Sequence, residues 1–248
     1  MSENTSLESG ERLAKRLARQ LACSRREAEL YVENGAVLVD GQVVEALGTR
    51  VQPEQQVSVA PGARALPVPP VTLLLHKPAG FTVGEGQPSA WSLLTPERWQ
   101  QGPTPAPLKL LKKHFHAQEP LLTIPVPASG LCVFSQDARV MRKLMQDALY
   151  VEQECIAQVA GKIAPDGLQR LCDGSAIPGK RLPRIKVSWQ NEQHLRFALQ
   201  GIFPYEIEAM CAGVGLQLTG LKRLRVGRIA LAGLAEGHWR YLQPWERF

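Results

Sequence analysis

The sequence predicts an α+β protein with two domains, a small N-terminal domain and a larger one that follows it. The first 60 residues hold two helical patterns and then a hairpin pattern, residues 61–70 are rich in proline, and apolar runs typical of strands recur after residue 71. A chain of 248 residues with 44% hydrophobic content is long enough for one substantial core and a smaller unit.

Charge and composition narrow the class of protein. Lys and Arg number 29 against 23 Asp and Glu, a basic excess that favours a polyanionic partner. No run approaches the roughly 20 apolar residues of a membrane span. Residues 1–10, predicted to be a flexible N-terminus, lack the basic start and apolar middle of a signal peptide. We therefore expect a cytoplasmic protein without a membrane partner.

The cysteines and histidines do not suggest metal chemistry. The five cysteines are widely spaced and form no C-x-x-C pair, which indicates reduced thiols rather than disulfides or a zinc site. His114 and His116 have no Cys or carboxylate partner at ligand spacing and are read as surface residues. We expect no metal site.

The N-terminal domain opens with two predicted helices. The apolar stripe of the first helix consists of leucines at four-residue steps, Leu13, Leu17 and Leu21. Ser24 and Glu27 have the spacing of a capping box, which predicts the start of a second helix that runs to about Glu33. Residues 36–39 then form a short apolar strand, and Asp40-Gly41 is a strong hairpin turn. A strand at 42–44 returns, and a strand at 57–59 closes the small sheet.

Two helices followed by the hairpin V-x-V-D-G-Q-V resemble the alpha-L RNA-binding domain, and the match covers residues 11–60. In that module the basic faces of both helices meet the RNA backbone. The resemblance therefore implies a set of phosphate contacts: Arg12, Lys15, Arg16, Arg19, Arg25 and Arg26. An ordinary solvated charged face is the alternative, because acidic residues accompany the basic ones: Glu11, Glu27, Glu29 and Glu33.

Residues 61–70 read as a stiff linker, so the second predicted domain spans 71–248. An apolar strand at 71–75 leads into His76-Lys77-Pro78-Ala79-Gly80, which resembles the N-K-P-x-G motif that opens the catalytic domain of pseudouridine synthases. The resemblance places Lys77 beside the active cleft, in reach of RNA phosphate. A turn lysine in solvent is the alternative.

The mid-chain stretch from Pro120 to Asp137 resembles the P-V-G-R-L-D-x-x-T-x-G-L-L-L-x-T-N-D signature of ribosomal RNA pseudouridine synthases. The two align without a gap, and the family's catalytic aspartate then falls on Pro125. Other reactive positions are replaced as well, by Thr123, Pro127 and Ala128. The scaffold half of the motif is intact, with a strand at 131–134 and a helix led by Asp137.

Three further motifs complete the resemblance. Residues 151–159 resemble the family's K-E-Y strand, with Cys155 where a tyrosine would stack on the target base, and we read Cys155 as a small buried side chain. Residues 201–210 resemble G-x-N-R-Q-I-R-R-M, whose arginines pair with the catalytic aspartate, but non-basic residues replace them: Tyr205, Glu206 and Glu208. Residues 221–242 match the family's ending and offer a basic edge that contacts RNA or serves the strand structurally: Lys222, Arg223, Arg225 and Arg228.

The resemblance implies a catalytic-type domain built on a central, mainly antiparallel sheet. The family reaction breaks the bond between N1 of uracil and ribose and rejoins the base through C5, on a flipped uridine and without cofactor or metal. That chemistry depends on a carboxylate, and Pro125 has no ionisable side-chain atom.

Three hypotheses follow. In the first, the chain is an RNA-binding protein that has lost isomerase activity and acts in ribosome assembly. In the second, it is a working synthase with a relocated carboxylate, for which Asp137 is the nearest candidate. In the third, it is a protein-interaction scaffold. We expect a monomer whose partner is ribosomal RNA or another structured RNA.

Overall fold

The computed structural model describes residues 10–102 and 109–248, which form two compact units. The first unit comprises residues 10–70 and 109–116, and the second comprises residues 71–102 and 117–248. Apart from Gly10, the predicted N-terminal tail lies outside the described residues. Within the described ranges, no helix has the length and apolar character needed to span a bilayer.

The first unit contains two α-helices, five short strands and a 3₁₀ turn at Lys112–Phe115. Its elements are β1 (Glu11–Arg12), α1 (Leu13–Leu21), α2 (Arg25–Glu33), β2 (Val37–Val39), β3 (Gln42–Val44), β4 (Arg50–Val51) and β5 (Val57–Val59). Strand β2 lies between β3 and β5 in a three-stranded antiparallel sheet, which confirms the predicted hairpin and its closing strand. The pair β1 and β4 was missed, because strands of two residues produce no alternation that a sequence can show.

The helices of the first unit bury their apolar sides on this small sheet. Leu13 and Leu17 are fully buried, whereas Leu21 at the end of α1 is 39% exposed, so the predicted apolar stripe is confirmed for its first two leucines. Ser24 Oγ accepts a hydrogen bond of 3.2 Å from the amide of Glu27, and the Glu27 carboxylate accepts one of 2.8 Å from the amide of Ser24. The predicted capping box is therefore present.

The second unit is a large sheet flanked by short helices. Its strands are β6 (Thr72–Lys77), β7 (Glu119–Leu121), β8 (Ser129–Ser135), β9 (Gln153–Gly161), β10 (Lys186–Asn191), β11 (His194–Leu199), β12 (Leu216–Val226), β13 (Ile229–Ala230) and β14 (Trp239–Tyr241). Its α-helices are α3 (Ala138–Gln146), α4 (Gly167–Asp173) and α5 (Ile207–Ala212).

The order of the main strands is β10-β11-β9-β12-β8-β6-β14, with β13 paired to β12 and β7 paired to β8. Every pairing is antiparallel except the one between β12 and β8. This arrangement confirms the predicted α+β class with a mainly antiparallel sheet. The long strand β12 lies at the centre, where it pairs with β9 on one side and β8 on the other.

The parallel contact between β12 and β8 depends on a glycine. Gly130 lies opposite Arg223 with φ +114°, and a Cβ there would lie 2.2 Å from the carbonyl oxygen of Arg223. Neither the backbone angle nor the space accepts a larger residue. The retained glycine of the mid-chain motif therefore has a structural reason that is independent of catalysis.

Replacing Gly130 with alanine is expected to lower the free energy of unfolding by at least about 2 kcal/mol, because backbone strain and a steric clash act together. Chemical denaturation of the full chain measures the loss. Gly179→Ala is the matched control, since Gly179 also has positive φ (+70°) but open space around its Cβ position. Equal losses in the two variants would contradict the role assigned to the β12/β8 contact.

Candidate functional site

The core of the candidate site is a buried cation. Arg223 on β12 is 0% exposed, and its guanidinium reaches three different segments. Nε donates to the carbonyl of Leu131 at 2.8 Å, and Nη2 donates to the same oxygen at 2.6 Å. Nη1 donates to the carbonyl of Leu122 and, at 2.8 Å, to Oε1 of Gln153. Desolvation lowers the pKa of Arg223, and its partners are neutral oxygens.

A second buried cation lies on β6. Lys77 is 0% exposed, and its ammonium donates to the carbonyls of Pro78 at 2.9 Å, Phe81 at 2.8 Å and Val126 at 3.2 Å. Burial lowers the pKa of Lys77. Three carbonyls match the three N–H donors of an ammonium, so this side chain fixes its own loop onto the mid-chain motif.

These positions correct two predictions. Arg223 and Lys77 were expected to contact RNA phosphate, but both side chains are buried and their donors are already bonded to protein oxygens. The alternative of a structural strand arginine fits Arg223. Lys77 is neither a phosphate contact nor a turn lysine in solvent, because the loop after β6 folds back over its ammonium.

Two segments that carry charged residues in the family motifs carry neutral residues in this chain, and a hydrogen bond joins them. Thr123 Oγ1 and the hydroxyl of Tyr205 lie 3.0 Å apart, and the Tyr205 ring is 54% exposed. Thr123 takes the position of the motif arginine, and Tyr205 takes that of an arginine in the later motif. Two residues after Thr123, Pro125 has no polar side-chain atom, and its carbonyl accepts from the amide of Ala128 at 3.0 Å.

Carboxylates close to these motifs in sequence are engaged or placed elsewhere. Glu119 is exposed on β7 and lies opposite Ser135, at the end of β8 away from Gly130. Glu206 pairs with Lys180 at 2.8 Å. Asp137 caps α3 by accepting from the amide of Arg139 at 2.8 Å, as its predicted place at the head of that helix requires. In the part of the chain that the structure describes, no ion pair joins a carboxylate to Lys77 or Arg223.

Strand β8 separates Asp137 from the candidate site. Gly130, at one end of β8, lies opposite both Lys77 and Arg223, and Ser135, at the other end, lies opposite Thr72. Five strand steps separate Gly130 from Ser135, which is roughly 17 Å at about 3.4 Å per residue. Asp137 lies beyond Ser135, so its carboxylate cannot reach the site in this fold.

Cys155 on β9 is 0% exposed and lies opposite Arg223 on one neighbouring strand and Phe197 on the other. Burial raises the pKa of its thiol to about 12, so the thiolate is not available near neutral pH. The expectation of a small buried side chain at this position is confirmed. A residue that the sequence analysis missed is its neighbour Gln153, whose polar side chain in a largely apolar strand was the available signal.

The basic side chains of the first unit divide into two groups. Arg16 is partly buried and donates to the carbonyls of Gln52 at 2.7 Å and Gln55 at 2.8 Å, so it joins α1 to the turn after β4 rather than facing a ligand. The other predicted phosphate contacts are exposed: Arg12, Lys15, Arg19, Arg25 and Arg26.

Acidic neighbours partly balance these exposed cations. Arg19 pairs with Glu11 at 2.9 Å, and Arg25 pairs with Glu29 at 3.1 Å. Both arginine side chains remain more than 60% exposed in these pairs. Pairs this exposed contribute about 0–1 kcal/mol, so a phosphate group can compete for the same arginines.

The basic edge of β12 is mainly structural. Arg225 pairs with Glu152 and, at 3.3 Å, with Glu154, which also pairs with Arg196 at 2.7 Å. This ion-pair network connects β12, β9 and β11. Lys222 is half-buried on the same strand and remains a predicted RNA contact.

Known proteins resemble both units of this chain. An S4 domain family matches residues 11–57, within the predicted alpha-L domain. A protein from Mycobacterium bovis, named an uncharacterized RNA pseudouridine synthase, is 31% identical over 256 residues and covers 94% of this chain and 90% of its own. The ribosomal large subunit pseudouridine synthase B of Bacillus subtilis is 26% identical, with 95% of this chain and 93% of its own covered.

A solved structure gives the same result for the fold. The crystal structure of a pseudouridylate synthase superimposes with a TM-score of 0.57 at 16% identity, covering 94% of this chain and 96% of its own. At this level of identity the likeness concerns the fold.

Proposed function

The chain belongs to the RNA pseudouridine synthase family, and from that premise we propose that it is a member that binds ribosomal RNA but has lost isomerase activity. The relative from Bacillus subtilis is named for the large ribosomal subunit, which favours ribosomal RNA as the partner. We propose that the protein acts as a monomer in the cytoplasm, by binding during ribosome assembly.

One observation carries the loss of activity. At the place where the family motifs bring an aspartate and an arginine together, this chain has Pro125 and a hydrogen bond between the hydroxyls of Thr123 and Tyr205. Neither hydroxyl is a carboxylate nucleophile or a fixed cation. The aspartate and its arginine partner are both replaced, which is expected when selection for their shared chemistry has ended.

Neither Asp137 nor Glu206 supports the alternative of a relocated carboxylate. Asp137 is committed to the start of α3, and Glu206 pairs with Lys180. The buried cations of the site, Lys77 and Arg223, are bonded to carbonyl and amide oxygens rather than to an acid. The scaffold hypothesis is also not favoured, because the first unit belongs to an RNA-binding family and retains exposed cations.

Binding is proposed to rest on the exposed cations of α1 and α2. They supply charge rather than base-reading geometry, so they favour contacts to phosphate. Contacts of this kind release counterions from the RNA, which makes affinity fall steeply as salt rises.

Replacing Arg19, Arg25 and Arg26 together with alanine is expected to weaken binding to ribosomal RNA fragments by about tenfold or more at 0.1 M salt. Three lost phosphate contacts should also flatten the plot of log K against log salt by roughly two to three units. Filter binding across a salt series measures both quantities. Arg16 is left in place because its loss would disturb the domain itself.

The matched control removes the same number of charges from exposed positions of the second unit, Lys162, Arg181 and Lys186. We expect the control to bind nearly as the unchanged protein does. If the α1/α2 variant and the control had the same affinity, the S4 domain would not be the RNA-binding element.

A further inference from the structure

The segment 109–116 is separated by about 40 residues from the linker but packs on the first unit. It contains three lysines and no acidic residue. We propose that this lysine segment is part of the RNA-binding surface and adds phosphate contacts to those of the S4 domain. The inference rests on the proposed RNA binding and extends it to residues outside the S4 match, which ends at residue 57.

The lysine segment is fixed on the first unit by several contacts. Lys109 donates its ammonium to the carbonyl of Gly35, just after α2. The amide of Lys112 donates to the carboxylate of Glu45 at 2.6 Å. Leu111 and His114 are buried, at 7% and 2% exposure, and anchor a short 3₁₀ turn at Lys112–Phe115. The prediction that His114 is a surface residue is therefore wrong, because the turn packs its ring against the first unit. A segment anchored in this way holds its lysines at defined positions and not on a mobile loop.

The lysine segment also places a positive charge beside the acidic end of α2. The Glu33 carboxylate is 7% exposed and lies 2.7 Å from the ammonium of Lys113. The same oxygen lies 3.8 Å from Nη1 of Arg26, an exposed residue of the proposed phosphate-binding set. One carboxylate thus connects two cations, so the basic surface of α2 continues into the lysine segment.

The local charge balance favours an anionic ligand. Five basic residues, Arg25, Arg26, Lys109, Lys112 and Lys113, supply five positive charges, and their acidic neighbours Glu29, Glu33 and Glu45 supply three negative ones, which leaves +2. Lys112 and Lys113 both reach solvent, and Lys112 is exposed. Because this surface adjoins cations of an RNA-binding domain, its occupant is a phosphate backbone continuous with the RNA held by α1 and α2.

Lys112→Glu tests the inference, because the side chain is exposed and the bond to Glu45 is made by the backbone amide. Binding of a ribosomal RNA fragment is measured across a salt series. We expect Kd to rise about threefold to tenfold at 0.1 M salt and the salt slope to shrink by about one unit. Lys162→Glu, an equal charge change at an exposed site in the second unit, should have a much smaller effect.

The outcomes separate this inference from the proposed function. If the α1/α2 arginine variant weakens binding while Lys112→Glu and Lys162→Glu bind equally well, the lysine segment has no role in binding and the S4 contacts stand. If the unchanged protein does not bind ribosomal RNA, the proposed function itself is wrong. A thermal unfolding midpoint for Lys112→Glu within about 2 °C of the unchanged protein shows that the change in Kd reflects binding and not loss of fold.

Discussion

Replacing Arg223 with alanine is expected to lower the free energy of unfolding of the sheet unit by about 3–5 kcal/mol. The guanidinium is 0% exposed and joins β8, β9 and the mid-chain loop through Leu131, Gln153 and Leu122. Its removal leaves buried oxygens without donors and opens a cavity, and both effects destabilise the folded state. This residue was predicted to contact RNA, so the result also separates a structural role from a binding role.

Tryptophan fluorescence during chemical denaturation measures this effect cleanly. All five tryptophans lie after residue 71, so the signal follows the second unit and is not mixed with unfolding of the S4 domain. Arg228→Ala is the matched control, because Arg228 is exposed on the turn that follows β12, and its loss should change stability by less than about 0.5 kcal/mol.

Arg223→Lys gives a graded test of the same claim. An ammonium retains the charge but lacks the planar fork that reaches three segments at once, so we expect an intermediate loss of stability. A stability for Arg223→Ala within about 1 kcal/mol of the unchanged protein would show that the guanidinium network is not structural.

Local signals in the sequence predicted much of the fold. The capping box at Ser24 and Glu27, the turn at Asp40-Gly41 and the strand at 131–134 each depend on neighbouring residues, and all are present. The two-residue pair β1 and β4 depends on a tertiary contact between distant segments, which no local pattern encodes.

The site was harder to predict because a basic residue looks the same in sequence whether it binds a ligand or a carbonyl. Arg16, Lys77 and Arg223 all appeared as candidate phosphate contacts. Their actual partners are backbone oxygens brought together by loops and by the β12/β8 contact, and Arg223 also bonds the side-chain oxygen of Gln153. The packing of segment 109–116 on the S4 unit was missed because it depends on contacts between residues about 70 positions apart, which no local pattern shows.

Restoring the family's aspartate alone, as Pro125→Asp, is expected to give no detectable pseudouridine. The Thr123–Tyr205 bond offers no cation to balance a carboxylate, and a partly buried acid without such a partner tends to remain protonated. The buried Cys155 supplies no ring to stack on the target base. Activity in this single variant would show that position 125 was the only missing part.

A combined variant tests whether several missing groups must be restored together. Pro125→Asp with Tyr205→Arg and Cys155→Tyr supplies the carboxylate, the cation and the ring together. Cys155 is fully enclosed, so the added ring is expected to cost about 1–3 kcal/mol through overpacking, and unfolding must be measured alongside activity. Any restoration of pseudouridine formation is expected in this combination and not in the single variants.

The most direct test of the central claim is the assay of the unchanged protein for pseudouridine formation. The purified full chain is incubated with ribosomal RNA fragments and large-subunit precursors, with the synthase of Bacillus subtilis as the active control, and pseudouridine is mapped at each uridine. We expect RNA binding in these samples and no pseudouridine above the level without protein, because position 125 has no carboxylate and Asp137 is held at the start of α3. Pseudouridine at a defined uridine would show that the protein is an active synthase, and its loss in Asp137→Asn would then identify a relocated carboxylate.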